Sequence, residues 1–329
     1  MEHFLPPPWL AKSDPFDDEH GATRLSRLST RGEVIRVRRG FYLPEEVWKS
    51  LKPWHRYRTL IQAVNDSSQS APVFSRESAA SILGLPTLQR THDVHCVLPT
   101  ACAGGRSENG VRRHNPVPGD PEPWRIDGLL TTSLVETARD LAASGTFAQG
   151  LAAMDRLMNP QAYPAVPVEY ARCIRNVEVE ESLARLISGS QQRKTRRALN
   201  FADSRSGSAG ESWSRAIMIQ HGFHPPVLQK RFSDARGTIG DPDFLWEEFK
   251  TMGEFDGHEK YSAQRFLKGR TPAQIVIEEK NRENRLRALG YNVLRWEWAD
   301  LENPQKLITL LRSAGLPQCL TGAIPGPHP

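Results

Sequence analysis

The pattern of apolar and polar positions near the start of the chain predicts a helix followed by a pair of strands. Ala22, Leu25 and Leu28 have helical spacing, and an Arg-Gly pair at 31–32 ends the helix. In the next segment, EVIRVRRGFYL, apolar and polar residues alternate on both sides of a second Arg-Gly pair. We therefore expect a short helix that leads into a basic, two-stranded hairpin.

Short helices and strands continue to about residue 160. A helix interrupted at Pro53 comes next, and a further helix has Ser75 as its N-cap and stops at Gly84. The segments DVHCVLP and GVRRHNPVP are strand-like pieces around a Gly-rich loop without the Gly-Lys-Ser/Thr of a phosphate-binding loop. The pattern then predicts two helices, the first capped by Thr131 or Thr132.

The second part of the chain has a more compact order of elements. Its pattern predicts a helix near Glu211, a strand, a hairpin through DARGTIGDPDFLW, a strand FKTMGEFDG, a long helix and a last strand YNVLRWEWADL. This α–β–β–β–α–β order predicts an α/β sheet flanked by helices. We place an α+β first domain at residues 1–160, a helical linker at 161–204, the α/β second domain at 205–316 and a loose tail at 317–329.

Length and composition agree with a two-domain globular protein. The chain has 329 residues, of which 38% are hydrophobic and 25% are charged. No apolar run is long enough to span a bilayer, and the N-terminus lacks a signal-peptide pattern, so we expect no membrane association. The cysteines are scattered like free thiols of a reducing cytoplasm, which predicts a cytoplasmic protein. They are Cys96, Cys102, Cys173 and Cys319.

The charge balance favours polyanionic partners such as DNA. The formal net charge is +5, and residues 24–39 contain six arginines and one glutamate. A short helix that leads into a basic hairpin is the way a winged helix-turn-helix ends. We therefore expect Arg36, Arg38 and Arg39 to contact DNA phosphates. The alternative is that these arginines only solvate a small hairpin.

Histidines near predicted strand ends offer a second candidate chemistry. They are His92, His95 and His114. A metal site would require cysteine partners or regular spacing, and the sequence shows neither. We interpret these residues as ordinary surface or core histidines.

Acidic residues frame two predicted strands of the second domain. In GDPDFLWEEFKTMGEFDGHEKY, Asp243 lies at the first strand and Glu254 and Asp256 lie at the end of the next. Glu254 and Asp256 point to the same face because strand side chains have a period of two. Each piece alone could be a turn or a solvated face. Their order along the chain is more specific.

The second domain resembles the PD-(D/E)XK nuclease superfamily, closest to the branch of very-short-patch-repair endonucleases, over roughly residues 208–312. The resemblance rests on Asp243, on the acidic-x-Asp-Gly motif Glu254–Gly257, on the Glu-Lys-x-Arg-Glu segment at 279–283 and on LGYNVLR at 289–295. It implies a Mg²⁺-dependent DNA endonuclease, in which Mn²⁺ could substitute and no nucleotide cofactor is needed.

The resemblance also implies roles for individual acidic residues. Asp243 and Glu254 would be the metal ligands, because Mg²⁺ in proteins usually takes one or two carboxylates and leaves its other sites to water and phosphate. Asp256 would support them. Glu211, on the first helix of this domain, would add a carboxylate that binds the metal directly or through another group.

The superfamily's catalytic lysine is displaced in this chain. It normally lies two residues after the second acid, where this sequence has Asp256. Lys260 or Lys280 would then supply the cation that orients the water. We favour Lys260, because it belongs to the same acidic strand end.

The first domain resembles the N-terminal region of AbiEi-type antitoxins and related actinobacterial proteins, which often join such a winged-helix module to a nuclease-like domain. The resemblance rests on Gly21 and Leu25, on the segment 38–42 (RRGFY) and on the segment 75–86 (SRESAASILGLP). It adds a cognate toxin to the candidate partners.

Two functions of different classes follow from these observations. The first is a DNA-binding protein with a metal-dependent endonuclease domain, which the set Asp243, Glu254 and Asp256 favours. The second is a transcriptional regulator or antitoxin of a toxin–antitoxin or phage-defence system with a non-catalytic nuclease-like domain, which the displaced lysine favours. A structural or partner-binding protein is a third and weaker alternative.

Overall fold

The structure is a computed structural model with mixed α and β elements. It describes residues 6–10, 21–88, 93–102, 106–159, 176–257 and 272–318. The chain divides into two compact units, residues 1–144 with 160–193 and residues 145–159 with 194–329. None of the helices in the described parts is both long and apolar enough to cross a membrane.

The first unit starts with the helix and hairpin that the apolar pattern predicts. Helix α1 (Gly21–Thr30) leads into strands β1 (Val34–Arg38) and β2 (Phe41–Pro44), which pair antiparallel. Gly40, in the turn between them, has a φ of +83°, which glycine adopts without strain. The buried face of the hairpin consists of Val34, Phe41 and Leu43.

Three helices follow the hairpin. They are α2 (Glu45–Ser50), α3 (Pro53–Ser67) and α4 (Arg76–Leu83). Pro53 occupies the first position of α3, where its missing N–H is not needed, so it separates two helices. Helix α4 ends at Gly84, whose φ of +80° is the left-handed conformation typical of a helix end.

The larger sheet has six strands and belongs to the first unit. The strands are β3 (Val73–Phe74), β4 (Val94–Val97), β5 (Arg106–Glu108), β6 (Val111–His114), β7 (Trp124–Ile126) and β8 (Leu129–Thr131). Their order in the sheet is β5-β6-β4-β3-β8-β7. The pairs β3–β8 and β4–β6 are parallel, and the other neighbours are antiparallel.

Helix α5 (Leu134–Ser144) has a different cap from the one that we expected. Thr131 is the last residue of β8, and the helix begins three residues later. The backbone N–H of Glu136 donates to the Ser133 hydroxyl over 3.4 Å. Ser133 therefore caps the helix, and the assignment of this role to Thr131 or Thr132 is wrong.

Four more helices continue the chain, namely α6 (Phe147–Leu157), α7 (Asn176–Ala184), α8 (Gly189–Asn200) and α9 (Ala209–Gln220). Helix α6 groups with the second unit, although we placed the end of the first domain at residue 160. Asp155 on α6 accepts hydrogen bonds from Arg215 (2.6 Å) and Ser212 (2.7 Å) on α9. These buried bonds hold α6 against α9.

The second unit contains a four-stranded sheet and a separate hairpin. The strands are β9 (Val227–Leu228), β10 (Phe232–Asp234), β11 (Gly237–Gly240), β12 (Phe244–Trp246), β13 (Thr251–Asp256) and β14 (Asn292–Glu297). The sheet order is β14-β13-β12-β9, and β10 pairs with β11. Strands β13 and β14 are parallel, whereas β12 pairs antiparallel with both β13 and β9.

Three helices complete the second unit: α10 (Pro272–Ala288), α11 (Trp298–Glu302) and α12 (Pro304–Ser313). The last strand ends at Glu297, earlier than predicted, because Glu297 and Asp300 form a capping box that starts α11. Gly253 on β13 makes room for the core, since a Cβ there would lie 2.4 Å from the Trp296 ring. The aromatic core around it includes Phe244 and Trp246.

Candidate active site

Asp243 and Glu254 lie on neighbouring strands of the smaller sheet. Asp243 directly precedes β12, and Glu254 belongs to β13. Phe244 pairs with Gly253, so the antiparallel register places Asp243 next to Glu254. The backbone N–H of Phe255 donates to Asp243 Oδ2 over 2.8 Å, which fixes this carboxylate against β13.

Glu211 reaches the same region from the first turn of α9. Ser208 caps this helix by accepting a hydrogen bond from the Glu211 backbone N–H. Gly210 permits a close approach to β13, because a Cβ at this position would lie 2.0 Å from the Phe255 ring. The Glu211 side chain accepts a hydrogen bond of 2.8 Å from the Gly207 N–H. Residues close to Glu211 in the sequence thus fix the position of its carboxylate.

Gln229 connects two of these carboxylates. Its Nε2 donates to Glu211 Oε2 and to Asp243 Oδ1, each over 3.1 Å. Gln229 has a φ of +51°, a left-handed conformation that is strained for a residue with a side chain. The only signal in the sequence is a polar residue that directly follows the short strand β9, and we did not single it out.

Burial and like charge perturb the acidic groups at this place. Burial and, second, the charge of Asp243 raise the pKa of Glu211 to about 7. Burial also raises the pKa of Glu254, although the guanidinium groups of Arg282 and Arg295 oppose this effect. Negative charge is therefore in excess here, and a bound cation would relieve it.

Two arginines contact Glu254 from different elements. Arg282 on α10 donates to Glu254 Oε1 and lies 3.3 Å from Glu279. Arg295 lies opposite Glu254 in the parallel register of β13 and β14, with its Nη2 2.5 Å from Glu254 Oε2. Arg295 also donates to Glu279. The four groups form one connected ion-pair network.

Three further residues, Asp256, Lys260 and Lys280, were predicted to belong to the site or to serve as its cation. Asp256 points to the same side as Glu254, and its Oδ1 accepts a hydrogen bond of 3.2 Å from Arg295. Lys260 lies outside the described residues. Lys280 is exposed on α10, whereas the adjacent Glu279 contacts Arg295. On this helix Glu279 thus joins Arg282 in the site, and Lys280 does not.

The acidic groups fit the ligand chemistry of Mg²⁺ as a pair. In the part of the chain that the structure describes, no group of three or more His, Cys, Asp or Glu side chains is arranged to hold a metal ion. Mg²⁺ usually takes one or two carboxylates and retains several waters. Asp243 can form such a pair with Glu211, to which the Gln229 amide joins it, or with Glu254 on the neighbouring strand. Both oxygens of Glu254 contact a guanidinium group.

Among the three arginines of the first hairpin, Arg38 differs from Arg36 and Arg39. Arg36 and Arg39 are exposed and make no hydrogen bond or ion pair within the described residues. Arg38 donates to Ser67 Oγ (2.9 Å) and to the Asn109 carbonyl (3.2 Å). Burial and, second, the charge of Arg113 lower the pKa of Arg38. Arg38 therefore attaches the hairpin to the rest of its unit.

The histidines of the larger sheet form a neutral pair. His95 Nδ1 lies 2.9 Å from His114 Nε2, and the rings are stacked with centroids 5.1 Å apart. Burial, followed by the charges of Arg76, His95 and Arg112, lowers the pKa of His114 to about 3. These contacts agree with ordinary core histidines. His92 lies outside the described residues.

Comparisons with known proteins give distant relatives without an assigned function. The chain is 28% identical over 170 residues to uncharacterized protein Rv2248 of Mycobacterium tuberculosis strain ATCC 25618/H37Rv and, to the same extent, to uncharacterized protein MT2308 of strain CDC 1551/Oshkosh. The match covers 52% of this chain and 55% of each relative, so the chain spans about half the length of the curated relatives it matches. No protein-family model matches the chain, and no solved structure matches it.

Proposed function

We propose that the second unit is a PD-(D/E)XK-type domain that hydrolyses DNA phosphodiester bonds with a divalent cation. The observation that supports this most is the convergence of Glu211, Asp243 and Glu254. These carboxylates come from helix α9, from the start of β12 and from β13, and they lie at one end of the two central strands of the smaller sheet. Burial and, second, the charge of Asp243 raise the pKa of Glu211, and burial raises the pKa of Glu254 against the charges of Arg282 and Arg295.

In this proposal the acidic residues hold Mg²⁺ or Mn²⁺. Asp243 and Glu254 are the ligands, and Glu211 lies close enough to Asp243 to share the Gln229 amide. The cation would stabilise negative charge on the phosphate and acidify a water molecule. The Phe255 N–H and the Gln229 amide orient Asp243 before any substrate arrives, which is the usual way a protein prepares such a ligand.

The cationic side chain of the superfamily has no counterpart at Asp256. Lys260, three residues after the acidic-x-Asp-Gly motif, remains our candidate for the group that orients the water. Lys280 is the weaker candidate, because it is exposed on α10 while Glu279 contacts the arginines.

The first unit would bind DNA as a winged helix. Helix α1 followed by the β1–β2 hairpin has the order of elements with which such a module ends. Arg36 and Arg39 are exposed on the hairpin and can contact phosphates. Arg38, which is hydrogen bonded to Ser67 and Asn109, would hold the hairpin in position for them.

A regulator or antitoxin with a non-catalytic nuclease-like domain is the second candidate function. The specific observation in its favour is that Arg282 and Arg295 contact both oxygens of Glu254, the predicted metal ligand. Such a protein would bind DNA and a cognate toxin without cutting. Its DNA binding would not depend on Asp243.

A plasmid-nicking assay separates the two candidates. The purified full-length chain is incubated with supercoiled plasmid and Mg²⁺ or Mn²⁺, beside the variants Asp243→Ala and Asp241→Ala. Asp241 is a matched control, because it is an acid close in sequence to Asp243 whose carboxylate pairs with Arg231. We expect nicking by the wild type and by Asp241→Ala, and none by Asp243→Ala, because the phosphate then lacks charge compensation.

Two results would contradict the endonuclease proposal. A wild-type protein that binds DNA and never nicks it supports the regulator. Nicking that survives Asp243→Ala identifies a contaminating nuclease.

A further inference from the structure

The two arginines around Glu254 cover its carboxylate completely. Arg282 contacts Oε1 from α10, and Arg295 contacts Oε2 from β14. Two different secondary-structure elements therefore hold the acid that the site needs for a cation. A cation that binds Glu254 therefore competes with these guanidinium groups for its oxygens.

The network around these arginines has more acids than bases. Arg295 also contacts Glu279 and Asp256 and lies 3.4 Å from Glu283, and Arg282 also contacts Glu279. Arg287 also pairs with Glu283 over 2.8 Å, so four carboxylates share three guanidinium groups, which leaves an excess of one negative charge when all groups are ionised. The arginines alone do not neutralise the network.

Exposure differs between the partners. The side chains of Arg282 and Arg295 are 24% and 25% exposed, whereas that of Glu254 is 7% exposed. An incoming phosphate can therefore reach the guanidinium groups from solvent. Guanidinium groups bind phosphate and carboxylate with the same two-pronged geometry, so a phosphodiester can compete with Glu254 for them.

We propose that Glu254, Arg282 and Arg295 make cation binding and DNA binding mutually dependent. A DNA phosphate that binds the two arginines releases Glu254 to a divalent cation, and a cation at Glu254 releases the arginines to the phosphate. Breaking the ion pairs once makes Glu254 available to the cation and the arginines available to the phosphate. Binding of either ligand therefore favours binding of the other. This inference rests on the proposed function, because it describes how the same site takes its cation and its substrate.

The coupling has a measurable size and direction. Coupling between two ligands is reciprocal and typically changes each affinity by about 5–150-fold. We measure Mn²⁺ affinity of the full-length chain by electron paramagnetic resonance, with and without a short duplex DNA, and subtract Mn²⁺ bound to DNA alone. In the wild type we expect DNA to raise the Mn²⁺ affinity within about this range.

Replacing an arginine should remove the coupling in a specific manner. In Arg295→Met one oxygen of Glu254 loses its guanidinium partner, so Mn²⁺ affinity without DNA should rise and the further increase caused by DNA should shrink. Arg282→Met should behave in the same way, and it replaces the first variant if circular dichroism shows that Arg295→Met does not fold. Arg285→Met is the matched control, because Arg285 lies on α10, the same helix as Arg282, and pairs with Asp234 over 2.6 Å.

The outcomes are distinct from those of the nicking assay. Coupling that is present in the wild type and in Arg285→Met, and lost in Arg295→Met or Arg282→Met, supports the inference even if no variant cleaves DNA. Mn²⁺ affinity that DNA leaves unchanged in the wild type overturns it. Full coupling in both folded arginine variants also overturns it.

Discussion

Each unit contains a network of arginines and carboxylates, and the two networks differ in exposure. In the first unit, Arg139 lies on α5 and its side chain, which contacts Ser182 on α7, is 0% exposed. Its donors pair with Asp120, Asp140 and Ser182. In the second unit, the side chains of Arg282 and Arg295 are about a quarter exposed (24% and 25%).

The difference separates a structural role from a site. Burial favours the neutral form of Arg139, yet the hydrogen bonds and charges of Asp120 and Asp140 raise its pKa. These two carboxylates therefore compensate the charge of the guanidinium group. Arg139 itself keeps no exposed donor for a ligand. The network at Glu254 has one surplus carboxylate and solvent access. Residue types alone would not tell the two apart; the exposure of the arginine at the centre of each network does.

The largest expected effect tests the structural side of this comparison. Arg139→Met leaves Asp120 and Asp140 without a buried partner, which typically destabilises a protein by about 3–5 kcal/mol. This corresponds to a decrease in melting temperature of roughly 6–20 °C for a unit of this size. Arg282→Met should shift its transition much less, because water can replace the lost partner.

Differential scanning calorimetry of the full-length chain measures both variants, since each unit can give its own transition. Equal shifts for Arg139→Met and Arg282→Met would break the comparison. They would mean that the exposed network stabilises its unit as much as the buried one.

The next effect concerns arginines without a network. Arg36→Ala together with Arg39→Ala should weaken binding to duplex DNA of any sequence and flatten its salt dependence by about two units of slope, because each phosphate contact contributes about 0.9. Arg38→Ala should change the slope less, because Arg38 is hydrogen bonded within the protein. Fluorescence anisotropy at several salt concentrations measures these slopes. An unchanged affinity and slope in the double variant would exclude the hairpin as a DNA contact.

The smallest effect comes from the histidine pair, in which His95 Nε2 lies 3.5 Å from Glu77 Oε2. The pKa of His114 is about 3, against an ordinary value of 6.5. Between these values the unfolded chain binds a proton that the folded chain does not, so stability falls as pH falls from 6.5 towards 3, and this group has no effect above that range.

Urea unfolding at a series of pH values detects this dependence. His114→Gln should reduce the loss of stability on acidification, whereas the exposed His221→Gln should leave it unchanged. Nuclear magnetic resonance should show no titration of His114 near neutral pH. A His114 signal that titrates near its ordinary pKa would contradict the burial of this pair.

Local sequence was sufficient for most of the elements. The spacing of Ala22, Leu25 and Leu28 gives α1, and the alternation around Arg39-Gly40 gives the first hairpin, because both patterns act over a few residues. The errors occur where side chains decide the boundary. The helix caps at Ser133 and Glu297 depend on particular hydrogen bonds that the apolar pattern does not contain.

Sequence by itself therefore determined the order of elements and the acidic motif Asp243, Glu254 and Asp256, since these depend on local spacing. Tertiary structure decided what surrounds the motif. Gln229 joins Glu211 to Asp243 only because β9 lies beside β12, and Arg295 meets Glu254 only because β13 and β14 are parallel neighbours in one register. Contacts between residues far apart in the chain depend on strand order and register, which no local pattern contains.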